Sequence, residues 1–455
     1  MNNEKIVTKL GGSSLATGQM ISSSILNVIA DEDCKHIIVS APGAFEKRKK
    51  VTDMLIEACD LFEKGQSLNQ PISLVAEIFK EISIDLDIEI EGNKIISEVL
   101  IEGINKNPYR DYILSCGERT QARLITCWLK KQGHKVRFID PFDCIFFNKD
   151  QSLNHRKTNP AINRMCFGPW IFVIPGFYGR GHDDKVKTFP RDGSDISGAI
   201  VAGAIKANLY NMGKDVDGFY VADPNCVDDP EIISKLSFSE ARALAYAGAK
   251  VMHQATILPL VENGVSVRIF NPNKEGNFGT LIKPIVKHEE KKILGIAGKS
   301  NFVMFKIEKL MMNEEIGFLR KILSIFEALK VPVDHIPTGI DTVALIVDMD
   351  NYPKDNDVSY YNQMIRNRIE KLDYDKMEVN FDVAVLAIVC TEQASFFSSR
   401  ITKILSENNI WIYSQQILGN QIIISVYREF LKKATQAIYN EFFPKSDEIK
   451  ICQTS

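Results

Sequence analysis

The stretch KIVTKLGGSS, Lys5 to Ser14, decides the fold. Ile6–Leu10 is a short, mostly apolar run of the kind that makes a buried strand. It ends in Gly11 and Gly12, and then Ser13 and Ser14 lead toward a helix. Two glycines let backbone N–H groups approach an anion closely, and a following helix adds partial positive charge. The serines add hydroxyl donors, and Lys9 supplies a full charge at the lip of the turn. Two readings follow: a cradle for a phosphate, or a tight βα turn with no ligand. It is not the P-loop pattern, because no lysine follows the glycines.

Outward from this turn, further short apolar runs read as buried strands: His36–Ser40, Val136–Ile139, Trp170–Ile174, Leu209–Met212 and Val265–Phe270. Helical patterns fall between many of them. The alternation predicts an α/β fold, with a mostly parallel sheet between helical layers. Residues 53–108 are mostly helical and charged, and read as a helical insertion. Around Pro284–Lys292 (PIVKHEEKK) the chain turns polar, which marks a domain boundary. Residues 1–288 are therefore expected to form the first domain.

Beyond the boundary the pattern changes. NFVMFKIE reads as a strand, and the next helix is expected to place Leu319, Ile322, Phe326 and Leu329 on one face. Strand-like VPVDHI and TVALIVDM follow. The pattern then recurs with FDVAVLAIVC, a helix over SSRITKILSENN, strands IWIYSQQI and QIIISVY, and a helix stopped by Pro444. Two βαββ-type modules are expected, over 297–375 and 380–455.

At 455 residues the chain exceeds one core. It is 45% hydrophobic and 25% charged, with a formal net charge of −3, which gives no reason to expect a nucleic-acid or anionic-membrane partner. No apolar run is long enough to span a bilayer, and MNNEKIVTKL lacks the pattern of a secretory leader. Nine cysteines with no CxxC pair are expected to be buried thiols in a reducing cytoplasm.

Further clusters carry chemistry. In FPRDGSD, Arg191 precedes Gly193, Ser194 and Asp195 at a helix entrance. The serine and aspartate can cap that helix, while the guanidinium suits a carboxylate. GKDVDGFYVADPN (Gly213–Asn225) is a turn-rich loop after a strand. Ser237 and Glu240 form a capping box, in a helix that ends near Gly248 with Lys250 beyond it. SCGERTQARL places Glu118 and Arg119 at a helix start.

Taken in order, VTKLGGSS, SAPG…VTD, SCGERTQARL, VIPGFYG, PRDGSD, DVDGFYVADP, AYAGAKVMHQATILP and FGTLI resemble the aspartate kinases over nearly the whole chain. The resemblance implies the amino-acid-kinase fold followed by two ACT regulatory domains. It implies ATP and Mg²⁺ as cofactors, with the metal held mainly by the ATP phosphates rather than by the protein, and L-aspartate as substrate. Lys9 and Asp195 would be catalytic. Lys9, Gly11, Gly12, Ser13, Lys214, Asp215, Tyr220, Asn225 and Lys250 would surround ATP. Thr52, Glu118, Arg191, Gly193 and Ser194 would bind the amino acid, with Glu118 on its ammonium and Arg191 on its α-carboxylate. Met312, Gly317, Phe318, Leu319, Asp334 and Thr338 match the effector region of lysine-sensitive members. Lysine feedback and a homodimer or homotetramer formed through the ACT domains are thereby implied.

Four residues depart from the family pattern. Asp192 replaces a glycine, Lys214 a threonine, Asn225 an arginine and Gln254 a proline. Lys214 is expected to restore the charge that Asn225 removes beside the nucleotide. Asp192 motivates an alternative, a kinase for another amino acid bearing a carboxylate. Lys214 and Asn225 motivate a second, a catalytically weak amino-acid sensor.

Overall fold

The computed structural model describes residues 5–444 except 191, 250, 253, 275, 291 and 354, and omits the side chains of 254 and 255. The chain forms two compact units. The first comprises residues up to 219 with 232–241 and 251–286; the second comprises 220–231, 242–250 and the chain from 287 onward.

The strands of the first unit are β1 (Ile6–Leu10), β2 (Cys34–Val39), β3 (Val136–Phe138), β4 (Ile171–Pro175), a separate hairpin β5 (Tyr178–Arg180) and β6 (Val186–Thr188), then β7 (Leu209–Gly213), β8 (Lys235–Ser237), β9 (Ser266–Phe270) and β10 (Thr280–Lys283). All but the hairpin join one sheet in the order β3-β4-β2-β1-β7-β9-β10-β8. Only the β9–β10 pair is antiparallel. Each strand expected from an apolar run forms, and Ile6–Leu10 is reproduced to the residue. β1 is buried at all five positions, as expected of a central strand between two parallel neighbours. Its neighbours are β2 on one side and β7 on the other. The chain thus leaves in opposite directions from the β1–β7 pair, and in open α/β sheets the crevice outside the carboxyl ends at such a point binds ligands.

Residues 51–106 are helical, over Val51–Glu63, Asn69–Asp85, Glu89–Ile96, a π-helical turn at Ser97–Gly103 and Ile104–Lys106. They share a core with the 22-residue helix Arg110–Lys131, in which Leu55, Phe79, Ile82, Val99, Leu124 and Ile125 are buried. This long helix corrects one expectation. Glu118 and Arg119 sit in its third turn, not at its start, because it begins just after Pro108 and the extended Tyr109. Gly117 does not break the helix. A Cβ there would lie 2.8 Å from the Cβ of Ala41 and 3.3 Å from Val51 and Leu55 side-chain atoms, so the glycine lets the helix approach both elements. The capping box forms as read: Ser237 N–H donates to Glu240 at 2.7 Å, and Glu240 N–H donates back to Ser237 Oγ at 3.3 Å.

The second unit is built on a five-stranded antiparallel sheet of β11 (Ile293–Glu308), β12 (Thr342–Asp348), β13 (Lys376–Cys390), β14 (Ile412–Leu418) and β15 (Gln421–Tyr427), ordered β12-β11-β13-β15-β14. Helices Phe318–Ala328, Val358–Ile369, Ser395–Glu407 and Leu431–Phe442 follow β11, β12, β13 and β15. The two βαββ modules share strands. Residues 293–299 of β11 pair with 385–390 of β13, while 302–308 pair with β12 and with 376–383 of β13.

Two local expectations differ here. VPVDHI makes an isolated bridge, His335 with Ile346, and just beyond it Thr338 bridges Val343. Pro332 and Pro337 lack the N–H that a continuous ladder needs. Leu319 is partly exposed, because the buried stripe of its helix runs through Phe318, Ile322 and Phe326. Among the described residues, no helix is long and apolar enough to cross a membrane.

Candidate active site

The site grows from the ends of β1 and β7. Lys9 lies on β1 yet is buried, and its ammonium stands 2.7 Å from Oδ1 of Asp195. Lys214, just past β7, places its ammonium 2.6 Å from the other oxygen, Oδ2. Asp195 belongs to the first turn of the helix Gly193–Ala204 and is 1% exposed. Its carboxylate is engaged by lysines rather than by a cap. Burial alone would raise its pKa, but Lys9 and Lys214 outweigh burial and hold it below the usual carboxylate range. Burial likewise opposes the charge on Lys214; Asp195, then Asp192 and Asp215, keep that ammonium's pKa above its ordinary value.

The glycine turn closes beside this cluster. A Cβ on Gly11 would sit 3.7 Å from Lys9 Nζ and 3.3 Å from Gly213 O. Gly12 packs backbone to backbone against the 41–43 segment: Gly43 N–H donates to its carbonyl at 2.8 Å, and a Cβ on Gly12 would lie 2.7 Å from Ala41 O. Only glycine allows that approach. Ser13 is half-buried, and the buried hydroxyl of Ser14 has no hydrogen-bond partner among the described residues. A bare turn with a lysine over it fits a phosphate.

Glu118 supplies a second subsite. It is 5% exposed, and its Oε2 has no hydrogen-bond partner among the described residues. Burial pushes its carboxyl up to about 7, against backbone hydrogen bonds at Ala41 and at Glu118 itself and the pull of Lys9. A buried carboxylate with an unused oxygen fits an ammonium. Half-buried Thr52 starts the helix Val51–Glu63, which Gly117 brings against Glu118's helix. Gly193 and Ser194 are buried. A Cβ at Gly193 would meet Phe177 at 2.6 Å, and Ser194 packs on Gly176.

Arg119, beside Glu118 in sequence, is tied elsewhere. It pairs with Asp140 and lies 4.7 Å over the Tyr178 ring, while Tyr178 OH donates to Asp140 at 2.9 Å. Sequence reasoning missed Asp140, because no local pattern links positions 21 residues apart.

Asp215 is exposed in the first unit. Tyr220 and Asn225 belong to the second unit, where Asn225 donates from both its backbone N–H and its side chain to Asp223 Oδ1 at 2.8 Å. Arg191 and Lys250 lie outside the described residues, as does the Gln254 side chain. The structure thus gathers Lys9, Gly11, Asp195 and Lys214 at one point, with Glu118 close enough to feel Lys9. Sequence reasoning assigned Lys214 to the nucleotide and foresaw neither its pairing with Asp195 nor Asp192 at 4.0 Å from its ammonium. No sequence signal pairs a residue before a helix with one after the next strand.

In the second unit, Met312 and Phe318 are buried, and Gly317 caps the Phe318–Ala328 helix at φ 83°. Asp334 accepts from Asp348 N–H at 2.7 Å and from Tyr246 OH. Thr338 borders a cavity of about 450 Å³ with Lys306, Trp411 and Tyr413.

A sheet with a glycine turn, a lysine and an anchoring aspartate at its switch point defines a small-molecule phosphotransferase. Residues 4–271 match the amino acid kinase family. Over 453 residues the chain is 31% identical to aspartokinase 3 of Bacillus subtilis (strain 168), covering 96% of this chain and 98% of that protein. The crystal structure of Clostridium acetobutylicum aspartate kinase superposes with a TM-score of 0.85 at 33% identity, over 96% of this chain and all of that one. Escherichia coli aspartokinase III shares the fold at 21% identity, with TM-scores of 0.79 in complex with aspartate and ADP (97% of this chain, 100% of that one) and 0.71 with lysine and aspartate (96% and 99%). The chain belongs to the amino acid kinase family and, within it, to the aspartate kinases.

Proposed function

We propose that the protein transfers the γ-phosphoryl of ATP to the side-chain carboxylate of L-aspartate, giving 4-phospho-L-aspartate. The observation that carries this reading is the buried Lys9–Asp195 pair over the Gly11–Gly12 turn, within electrostatic reach of a Glu118 oxygen that has no partner among the described residues. Lys9 and the backbone of Gly11, Gly12 and Ser13 hold the phosphoryl group. Glu118 takes the substrate ammonium, and Arg191 its α-carboxylate, with Thr52, Gly193 and Ser194 around them. Asp215, Tyr220, Asn225 and Lys250 serve the nucleotide, whose phosphate charge a Mg²⁺ held mainly by the ATP phosphates would offset. The acceptor, with a free pKa of roughly 3.9, is already ionised at neutral pH, so no general base is needed. The barrier lies in bringing one anion onto another, which positioned cations lower.

The same reading makes the second unit a pair of ACT modules that bind lysine near Phe318, Asp334 and Thr338 and join subunits into a dimer or tetramer. The complex of E. coli aspartokinase III with lysine supports it by analogy. Asp192 turns its charge toward Lys214, which favours aspartate over an amino acid chosen by a free carboxylate at that position. ATP consumption over an amino-acid panel, with hydroxylamine trapping the acyl phosphate, tests the reading. Aspartate alone should give hydroxamate; a different acceptor, or none, would replace it by the variant kinase or by the sensor.

A further inference from the structure

We infer that Lys214 is a positioning residue for phosphoryl transfer: steadied by Asp192, it fixes one oxygen of Asp195 and so sets where the other oxygen holds the Lys9 ammonium. The inference rests on the reaction proposed for this site and gives Lys214 a role other than touching the nucleotide.

Three observations carry it. First, Asp195 is divided between two cations. Oδ1 meets Lys9 at 2.7 Å and Oδ2 meets Lys214 at 2.6 Å, inside a pocket where the carboxylate side chain is 2% exposed. The χ2 torsion of aspartate is broad, so its own rotamer does not orient the carboxylate. One cation leaves the group free to turn; two cations on opposite oxygens do not. Second, the two lysines come from the ends of β1 and β7, the strands that flank the switch point. Their separation is therefore set by the sheet, and the bridging aspartate converts that spacing into an orientation. Third, Asp192 occupies the left-handed region at φ 58° and ψ 27°, although it is not glycine, and makes no side-chain cap to the helix that it precedes. Its carboxylate instead stands 4.0 Å from Lys214 Nζ. Aspartate tolerates this region, and there its carboxylate reaches Lys214 at the outer edge of ion-pairing distance.

Among the described residues, the groups facing Asp195 are few. Lys9 comes from β1, and Tyr210 of β7 donates its hydroxyl to the Asp195 carbonyl at 3.0 Å. Lys214 follows β7, with Asp192 and Asp215 acting on it, and Glu118 acts through Lys9 from the Arg110–Lys131 helix. Removing Lys214 deletes one of the two cations that, among the described residues, stabilise ionised Asp195. Its carboxyl then titrates at higher pH than in the wild type, the direction in which an acid limb set by Asp195 moves.

The test uses full-length Lys214→Met, Lys214→Arg and Asp192→Asn in steady-state kinetics across pH, with Lys9→Met as control. Lys214→Met should lower kcat on the order of 10- to 100-fold, the scale of a misplaced reacting group. Aspartate and ATP KM should change little, and the acid limb should shift upward. Lys214→Arg should recover most of kcat. Asp192→Asn keeps a residue that tolerates φ > 0; it should lower kcat in the wild-type background and do nothing further beside Lys214→Met. A rise in ATP KM alone would return Lys214 to the nucleotide. Unchanged kcat with an unmoved acid limb would make it a mere counter-ion. Should Lys214→Met not fold, an unaltered kcat in Asp192→Asn overturns the inference by itself. Activity retained in Lys9→Met would instead sink the site assignment on which the inference rests.

Discussion

The Lys9 ammonium stands 2.7 Å from Oδ1 of Asp195, and both side chains are almost wholly buried. Such a pair is poor evidence for stability, since desolvating two ions cancels much of their attraction. It is better understood as a cation held ready, in a low-dielectric pocket, for charge that arrives with the substrate. Lys9→Met should therefore lower kcat by a factor on the order of 10²–10³, the scale for losing one transition-state donor. Lys214 still neutralises Asp195 in that variant. The melting temperature should fall by only a few degrees, and near-normal kcat would take Lys9 out of the mechanism.

Glu118 gives a pH signature. Its folded pKa of about 7 stands above the ordinary carboxyl value of 4.5. Between those values the folded state binds more protons than the unfolded chain, so this group makes stability fall as pH rises. The total over the window is about 3 kcal/mol at ~1.4 kcal/mol per pKa unit. Glu118→Gln should remove that component, raising stability at pH 8 relative to pH 5, while weakening aspartate binding by roughly 2–5 kcal/mol. Denaturant melts at the two pH values, with calorimetry of aspartate binding, measure both. A pH dependence identical to the wild type would mean that Glu118 is ionised without its ligand.

Gly117 probes the approach of two helices. An added methyl would lie 2.8 Å from the Cβ of Ala41 and 3.3 Å from Val51 and Leu55. Gly117→Ala gains helix propensity of about 0.8–1 kcal/mol but overpacks a tight contact at a cost of roughly 1–3 kcal/mol. Net destabilisation is expected, with a higher aspartate KM because Glu118 and Thr52 are pushed apart. A variant more stable than wild type with unchanged KM would show that this contact yields.

These residues also mark what could be read from the sequence. Periodicity and turn chemistry are local, and they located the β1 strand, the glycine turn and the Ser237–Glu240 box. The long helix begins before the SCGERTQARL stretch that reads as its start, because Gly117, which permits close packing against Ala41 and Val51, continues the helix. Leu319 shows the same limit: a stripe shifted by one residue still satisfies helical spacing, and only the packing of Phe318 against Phe305, Ile322 and Phe326 selects the buried face. Lys214 was legible as an odd residue but not as a partner of Asp195, since the pairing is made by the β1–β7 register and the helix between. The sharing of β11 and β13 by both modules is likewise a matter of which strands meet, which no single module's pattern contains.

Asp334 tests the regulatory proposal. Its carboxylate already accepts from the backbone N–H of buried Asp348 at 2.7 Å and from Tyr246 OH. An effector ammonium must therefore share or displace these bonds, so Asp334→Ala should act on two quantities at once. Loss of an acceptor leaves a buried N–H unpaired, at about 1–3 kcal/mol of local stability. Loss of the carboxylate removes the partner for lysine, and inhibition should weaken by a coupling of about 1–3 kcal/mol. Asp334→Asn separates the two effects: its carbonyl oxygen can still accept from Asp348 N–H, while its charge is gone. Stability close to wild type with relieved inhibition in Asp334→Asn would assign the charge to the effector. Full lysine inhibition in Asp334→Asn, with calorimetry giving an unchanged lysine affinity for the full chain, would make Asp334 a strand-end anchor and move the effector elsewhere in the second unit.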